Sequence, residues 1–283
     1  MRTDERGCRG VPQPDTRSAV SPDPLVVLAL GDSLTFGEGV EDHETWPAQL
    51  EALLASELAP RAVRVVNAGV AAYGPQEARV ALRELAPAVR PDVVLCQFAV
   101  ANDALDGLRW RDAPGPLRVN FGAAEALEHH LLLTNLLARW SRAYRLAVWR
   151  WGRHAIRYRF MMEDPQLERA ATLLEQVGAT ARELLGAEVR FGVLVAPNVA
   201  QVERSPAEWA LGTERLNHGV LERLAARDVP ACHPLDALRA ADTADAPTYY
   251  EVERYWTAAG HRAVAEALVP FVRGLLEPRA APR

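Results

Sequence analysis

The strongest constraint on the fold of this chain is a run of apolar residues that ends in a Gly-Asp-Ser tripeptide. Residues 25–30 are all apolar and include two adjacent valines, a pattern that predicts a β-strand buried on both faces. Gly31, Asp32 and Ser33 end this run. Open α/β sheets bind their ligands at this carboxyl end of their strands. The tripeptide alone is also typical of a turn in which Asp32 or Ser33 caps a backbone N–H.

Two further predicted strands end in small or polar residues. The strand at residues 63–70 ends in Asn-x-Gly at Gly69, and the strand at residues 91–98 leads into Asn102. Strand ends that carry Ser, Gly and Asn in this order resemble those of the SGNH, or GDSL-type, serine hydrolases. The resemblance covers roughly residues 25–272.

The order of strands and helices indicates the fold class. Two more strands are predicted at residues 189–197 and 229–233, and helices are predicted at residues 46–58, 76–85, 166–185, 209–227 and 261–268. Five strands that alternate with helices indicate an α/β protein with a three-layer α/β/α sandwich. We expect a five-stranded, mainly parallel sheet in the flavodoxin-like SGNH hydrolase fold.

The chain is expected to form one domain with a helical insertion. Residues 1–24 are charged and proline-rich, and we expect them to be a disordered leader before a domain at residues 25–275. The insertion is expected at about residues 107–163, and a disordered tail at residues 276–283. We recognise no signal peptide or transmembrane segment, which favours a cytoplasmic protein.

The second part of the insertion is rich in arginine and tryptophan. Residues 139–159 hold seven arginines and three tryptophans and no acidic residue. A basic amphipathic helix with tryptophans can lie on an anionic membrane surface, so peripheral membrane contact is one interpretation. The alternative is a helical cap over the active-site edge, whose arginines are solvated or paired with acidic residues elsewhere.

Charge and cysteine content exclude several other classes of protein. A formal net charge of -5 gives no reason to expect a nucleic-acid partner. Cys8, Cys96 and Cys232 are too few and too far apart for a disulfide framework or a metal site. Because a nucleotide-binding glycine loop is also missing, we expect no cofactor.

The family resemblance implies a role for three residues. It implies that Ser33 is the nucleophile of an acyl-transfer reaction and forms an acyl-enzyme with an ester substrate. The backbone N–H groups of Ser33 and Gly69 and the side-chain amide of Asn102 would then stabilise the oxyanion. Asp32 is expected to be a structural hydrogen-bonding residue.

The last motif of the family is altered in this chain. The position of the family's general-base histidine falls on Tyr255, and that of its carboxylate falls on Glu253 or, with the longer spacing, on Val252. A serine nucleophile needs a base that titrates near neutral pH, whereas tyrosine titrates at about pH 10. Two histidines are candidate replacements, His233 at the end of the fifth strand and His261 at the last helix, although each also fits a structural role.

Three functions remain open from the sequence. The first is a hydrolase of the esterase, lipase or deacetylase type, which acts on a small acyl ester. The second is a catalytically degenerate SGNH fold that serves as a binding or scaffold module and contacts a membrane or a partner through its arginine-rich helix. The third is an acyltransferase, in which an alcohol instead of water resolves the acyl-enzyme.

Overall fold

A parallel β-sheet forms the centre of the structure, a computed structural model that describes residues 2–10, 24–99, 164–203, 213–251 and 255–277. Its strands are β1 (Leu25–Gly31), β2 (Val63–Gly69), β3 (Val93–Ala99), β4 (Arg190–Ala196) and β5 (Ala231–Cys232). They lie in the order β2-β1-β3-β4-β5, and each neighbouring pair is parallel. The predicted five-stranded sheet is confirmed.

Helices cover both faces of the sheet. Within the described residues they are α1 (Ser33–Phe36), α2 (Trp46–Glu57), α3 (Pro75–Val89), α4 (Asp164–Leu185), α5 (Val199–Val202), α6 (Thr213–Ala225), α7 (Leu235–Ala241) and α8 (Ala258–Leu276). One apolar layer joins the sheet to α3, α4 and α6, and a second joins it to α2, α7 and α8. This is the expected three-layer α/β/α sandwich.

The central strand β1 has no polar positions in its apolar run, and its packing explains why. Val26, Leu28 and Leu30 belong to one apolar layer, whereas Val27 and Ala29 belong to the other. Successive side chains of a strand point to opposite faces, and here both faces are covered by helices. All seven residues of β1 are therefore buried.

The last helix is longer than the sequence pattern predicts. Helix α8 begins at Ala258, where the Thr257 side chain accepts a hydrogen bond from Gly260 N at 3.3 Å, and it continues past Pro270 to Leu276. Buried Val272 and Leu275 explain the extension, because they add apolar contacts beyond the proline. The prediction of residues 261–268 was too short at both ends.

The N-terminal segment differs from the expected disordered leader. Residues 2–10 form a short hairpin in which Thr3 and Arg9 make an antiparallel bridge, and Arg9 also bridges to Asn67 on the edge strand β2. The Arg9 N–H donates to the Asn67 carbonyl at 2.8 Å, and Cys8 is buried in the apolar core. Pairing with a sheet edge and burial of Cys8 give this part of the leader a defined structure.

The arginine-rich insertion at residues 107–163 lies outside the described residues, so its helical cap and its membrane contact remain predictions. Among the described helices, none is both long and apolar enough to cross a membrane.

Candidate active site

Ser33 lies at a sharp turn between β1 and the first turn of α1. Asp32 caps the helix, because its side chain accepts a hydrogen bond from Leu34 N at 2.8 Å. This is the structural role expected for Asp32. Ser33 is the first residue of α1 and is buried, and its own N–H has no acceptor among the described residues. A helix N-terminus with an unpaired N–H favours negative charge at this position.

Gln97 on β3 stabilises this turn through two hydrogen bonds. Its Oε1 accepts hydrogen bonds from Asp32 N at 3.0 Å and from the Thr35 hydroxyl at 3.1 Å. A Cβ on Gly31 would lie 2.3 Å from the Thr35 Oγ1 and 2.5 Å from Gln97 Oε1, so only glycine fits there. Sequence reasoning missed Gln97, although a buried glutamine in an apolar strand was the available signal.

Asn67 joins the end of β2 to helix α1. Its Nδ2 donates to the Thr35 carbonyl at 2.9 Å, and its Oδ1 accepts from Gly69 N at 3.1 Å. A Cβ on Gly69 would lie 2.2 Å from Phe36 N, so the glycine allows α1 to pack closely against β2. The structure thus brings Gly69 beside α1, but its N–H already donates to Asn67.

Tyr255 is in contact with the Ser33 side chain. Its phenol lies near enough to the Ser33 hydroxyl and the Glu38 carboxylate for both to act on its pKa. Partial burial and the neighbouring Glu38 carboxylate raise the pKa of the Tyr255 phenol above its ordinary value of about 10. At neutral pH Tyr255 is therefore a protonated phenol.

The segment before α8 fixes the position of Tyr255. Tyr250 N donates to the Tyr255 carbonyl at 2.9 Å, and an antiparallel bridge joins Tyr249 to Trp256. The Tyr250 hydroxyl donates to the Gly39 carbonyl at 2.8 Å, which ties this segment to the loop that carries Glu38. The loop that carries Glu38 and the segment that carries Tyr255 therefore lie together near Ser33.

Arg9 holds the Glu38 loop from the other side. Its buried guanidinium donates to the Phe36 carbonyl at 2.7 Å, to the Val40 carbonyl at 2.5 Å and to the Gly37 carbonyl. It also forms an ion pair with Asp42 at 2.8 Å. No sequence pattern pointed to Arg9, because it lies in a segment expected to be disordered.

His233 lies too far along the sheet to contact Ser33. The ring Nδ1 of His233 donates to the Val195 carbonyl at 2.9 Å, beside the end of β4. His233 follows β5, which is three strands away from β1. At about 4.8 Å for each strand spacing, that separation is about 14 Å. The expectation that His233 could replace the missing base finds no support in this geometry.

His261 has a structural role. It is buried, its Nδ1 accepts a hydrogen bond from Trp46 N at 3.1 Å, and its ring packs edge-on against Trp256. Burial, together with the charge of Arg9, lowers the pKa of the imidazole to about 3. A neutral imidazole has one acceptor nitrogen, which Trp46 already occupies. His261 therefore has no nitrogen left to accept a proton from Ser33.

Two predicted site residues, Asn102 and Glu253, lie outside the described residues, as does Val252. Their roles remain predictions. Of the other predicted residues, the structure brings Ser33, Gly69 and Tyr255 together at one edge of the sheet and gives His233 and His261 other partners. Sequence reasoning missed Glu38, for which two flanking glycines in a loop were the only signal.

Comparison with solved structures finds the same α/β fold in other proteins. The chain is similar to LAE5, an alpha/beta hydrolase enzyme from the metagenome of Lake Arreo, with 15% identity, a TM-score of 0.51, and coverage of 90% of this chain and 97% of that chain. It is also similar to a catalytic mutant of Axe2, an acetylxylan esterase from Geobacillus stearothermophilus, with 14% identity, a TM-score of 0.50, and coverage of 92% and 97%. At these identities the likeness concerns the fold. No curated protein matches the sequence.

The family follows from a second comparison. A sequence model of the GDSL-like Lipase/Acylhydrolase family matches residues 29–263, which is most of the chain. The chain belongs to this family, and the resemblance inferred from its strand ends is confirmed.

Proposed function

We propose that the chain hydrolyses small acyl esters through an acyl-enzyme at Ser33. The Ser33 Oγ attacks the carbonyl carbon, the alcohol leaves, and water then releases the acid. The observation that supports this proposal is the position of Ser33 at the first residue of α1, with Tyr255 beside its side chain and its N–H without an acceptor in the described part of the chain. This placement suits a nucleophile whose attack generates an adjacent oxyanion.

The proposed oxyanion site combines the N–H groups of Ser33 and Gly69 with the side-chain amide of Asn102. The Ser33 N–H has no acceptor in the described part of the chain. The Gly69 N–H donates to Asn67 Oδ1 at 3.1 Å, so it would have to be shared or released when the oxyanion forms. Loss of one such donor typically slows acyl transfer about a hundredfold or more.

A catalytically degenerate binding module is the second candidate. It is favoured by one observation, that the group beside the Ser33 side chain is a phenol with a raised pKa and not an imidazole. Loss of the histidine from a serine triad costs on the order of a millionfold in turnover. In this case the fold would bind an ester or a partner without cleaving it, and the arginine-rich insertion would supply a membrane or partner surface.

Release of p-nitrophenol from p-nitrophenyl acetate distinguishes these candidates. The proposal predicts turnover above the buffer rate, a pre-steady-state burst from acyl-enzyme formation, and loss of both in Ser33→Ala. The matched control is Ser56→Ala, which removes an exposed hydroxyl on α2 and should have no effect. Equal rates for wild type and Ser33→Ala would contradict the hydrolase and favour the binding module.

Analysis of the reaction products shows whether water or an alcohol accepts the acyl group. If an alcohol resolves the acyl-enzyme, addition of a small alcohol gives a new ester in place of acetic acid. Comparison of acetyl, long-chain acyl and acetylated-sugar esters then separates the deacetylase, lipase and esterase types.

A further inference from the structure

The N-terminal hairpin of residues 2–10 reaches the helix that carries Ser33 through the Arg9 side chain. The Arg9 guanidinium donates to the carbonyl of Phe36, the last residue of α1, at 2.7 Å. It also donates to the carbonyl of Gly37, which caps this helix. Resting on the proposed function, we infer that Arg9 is a positioning residue for the reaction of Ser33 and acts by holding the carboxyl end of α1.

Helix α1 is too short to be stable on its own. It has four residues, and a single helical turn needs contacts with the rest of the protein to persist. The carbonyls at its carboxyl end have no partners within the helix and need donors from elsewhere. The Asn67 side chain donates to the Thr35 carbonyl at 2.9 Å, and Arg9 donates to the Phe36 carbonyl. The direction of α1, and with it the position of Ser33, therefore depends on these two side chains.

Gly37 links Arg9 to the backbone of Ser33. The Gly37 N–H donates to the Ser33 carbonyl at 2.8 Å, and the Gly37 carbonyl accepts from Arg9. Gly37 has a φ of 87°, a left-handed conformation that glycine adopts readily. A Cβ there would lie 2.5 Å from Thr45 Cγ2 and 3.0 Å from Arg9 Nη1, so the guanidinium packs against the residue that closes the turn of α1. A displaced guanidinium would therefore displace the peptide groups on which Ser33 rests.

The charge of Arg9 is matched to this place. A positive charge at the carboxyl end of a helix is favourable, and a buried guanidinium has to be paired. Asp42 supplies the opposite charge at 2.8 Å, and the Val40 carbonyl accepts from Arg9 Nη2 at 2.5 Å. The guanidinium also lies 5.1 Å from the centre of the Phe36 ring. Because the Arg9 side chain is 2% exposed, it acts on Ser33 through α1 and not on a substrate.

The hairpin fixes where Arg9 lies. The Asp4 carboxylate accepts hydrogen bonds from Arg6 N and Cys8 N, both at 2.9 Å, which closes the turn of the hairpin. The Arg9 N–H then donates to the Asn67 carbonyl on the edge strand β2 at 2.8 Å. The part of the chain that matches the family begins after the hairpin. Arg9 therefore adds to the site a contact from outside the matched region.

Turnover of p-nitrophenyl acetate by Arg9 variants tests this role. Arg9→Ala should lower kcat about tenfold to a hundredfold, as a small displacement of a reacting group does, and should change KM by less than about twofold because Arg9 does not meet the substrate. Arg9→Lys keeps the charge but not the planar fork of donors, so its kcat should be intermediate. Asp42→Asn keeps the guanidinium and removes its ion pair, so kcat should fall by less.

Two controls separate position from stability. Arg262→Ala removes an exposed guanidinium that pairs with Glu266 on α8, and it should leave kcat unchanged. Val220→Ala removes buried methyl groups on α6, so it should lower the stability to urea and leave the kcat of the folded protein unchanged. Far-UV circular dichroism at the assay temperature verifies the folding of each variant. If the role of Arg9 were only structural, Arg9→Ala would behave as Val220→Ala does.

A fluorophosphonate probe, which forms a covalent adduct with a reactive serine, measures the effect at Ser33 itself. The labelling rate of Ser33 should fall in Arg9→Ala together with kcat. If Arg9→Ala does not fold, Arg9→Lys and Asp42→Asn take its place. A wild-type labelling rate and kcat in folded Arg9→Ala, or in both replacement variants, would overturn the positioning role and leave Ser33 as nucleophile. Absence of any Ser33 adduct in the wild type would instead overturn the proposed function, and the role of Arg9 with it.

Discussion

The side chains of Ser33 and Tyr255 lie beside each other, although they come from opposite ends of the domain. Ser33 follows the central strand β1, and Tyr255 precedes the last helix α8. The position at which the family resemblance places a general-base histidine is thus beside Ser33, but it holds a phenol. The chemistry of the site depends on how this phenol handles the proton of Ser33.

Replacement of Tyr255 by histidine should accelerate the reaction of Ser33. An imidazole titrates at about pH 6.5 and can accept the Ser33 proton directly, while Glu38 lies beside it to orient the ring. We expect Tyr255→His to raise the rate of fluorophosphonate labelling at pH 8 by tenfold or more. Tyr255→Phe is the control, since it carries no base. A slower labelling rate for Tyr255→His than for wild type would show that the absence of an imidazole is not what limits the reaction of Ser33.

Gln97 should be needed both for stability and for the position of Ser33. Gln97→Met removes the acceptor shared by Asp32 N and the Thr35 hydroxyl, which leaves two buried donors unpaired at a cost of about 2–4 kcal/mol. Urea unfolding measures the loss of stability, and the labelling rate should fall as well. The control is Gln76→Met on α3, whose buried Nε2 has no partner in the described part of the chain. Equal effects of the two substitutions would contradict a specific supporting role for Gln97.

His261 should make the protein sensitive to acid. Its pKa is about 3 in the folded state, against about 6.5 in an unfolded chain, so between these values the unfolded state binds a proton that the folded state does not. The free energy of unfolding should therefore fall as pH decreases from 6.5 towards 3, by at most about 1.4 kcal/mol per pH unit. His261→Asn keeps an acceptor for Trp46 N but removes the titration. A variant whose unfolding free energy keeps the wild-type slope would contradict this assignment.

The docking of the N-terminal hairpin can be followed through the Cys8 thiol. Burial raises the pKa of Cys8 to about 11, so the native thiol should react slowly with a disulfide reagent at pH 8. Arg9→Ala removes the hydrogen bonds that fasten the hairpin to the Glu38 loop, and we expect Cys8 to react at least tenfold faster. Cys8→Ser in the Arg9→Ala background shows whether the gain belongs to this thiol. An unchanged rate would mean that the hairpin does not depend on Arg9.

Local patterns were enough to predict the sheet and the turn at Ser33. The apolar run of β1 predicts a buried strand, and the Gly-Asp-Ser that ends it predicts a polar edge of the sheet. Both predictions use only residues that are neighbours in the sequence. The match of Tyr255 to the position of the family's histidine comes from the family resemblance and stays a prediction. By contrast, the N-terminal hairpin was wrongly expected to be disordered, because its stability depends on Asn67 of a distant strand.

The supporting residues of the site could not be predicted, because their roles also depend on contacts between distant parts of the chain. Gln97, Glu38 and Arg9 act on Ser33 or its loops only after folding brings β3, the glycine loop and the N-terminal hairpin together. His233 and His261 were reasonable candidates as bases, since the sequence does not reveal strand order or hydrogen-bond partners. The sheet order separates His233 from β1, and Trp46 occupies the acceptor nitrogen of His261.

The central claim is that Ser33 is a working nucleophile, and mass spectrometry of the fluorophosphonate-treated protein tests it most directly. After protease digestion, we expect a single phosphonyl adduct on the peptide that contains Ser33, and no adduct in Ser33→Ala. An unmodified Ser33 peptide, or an adduct that persists on another residue in Ser33→Ala, would contradict the account.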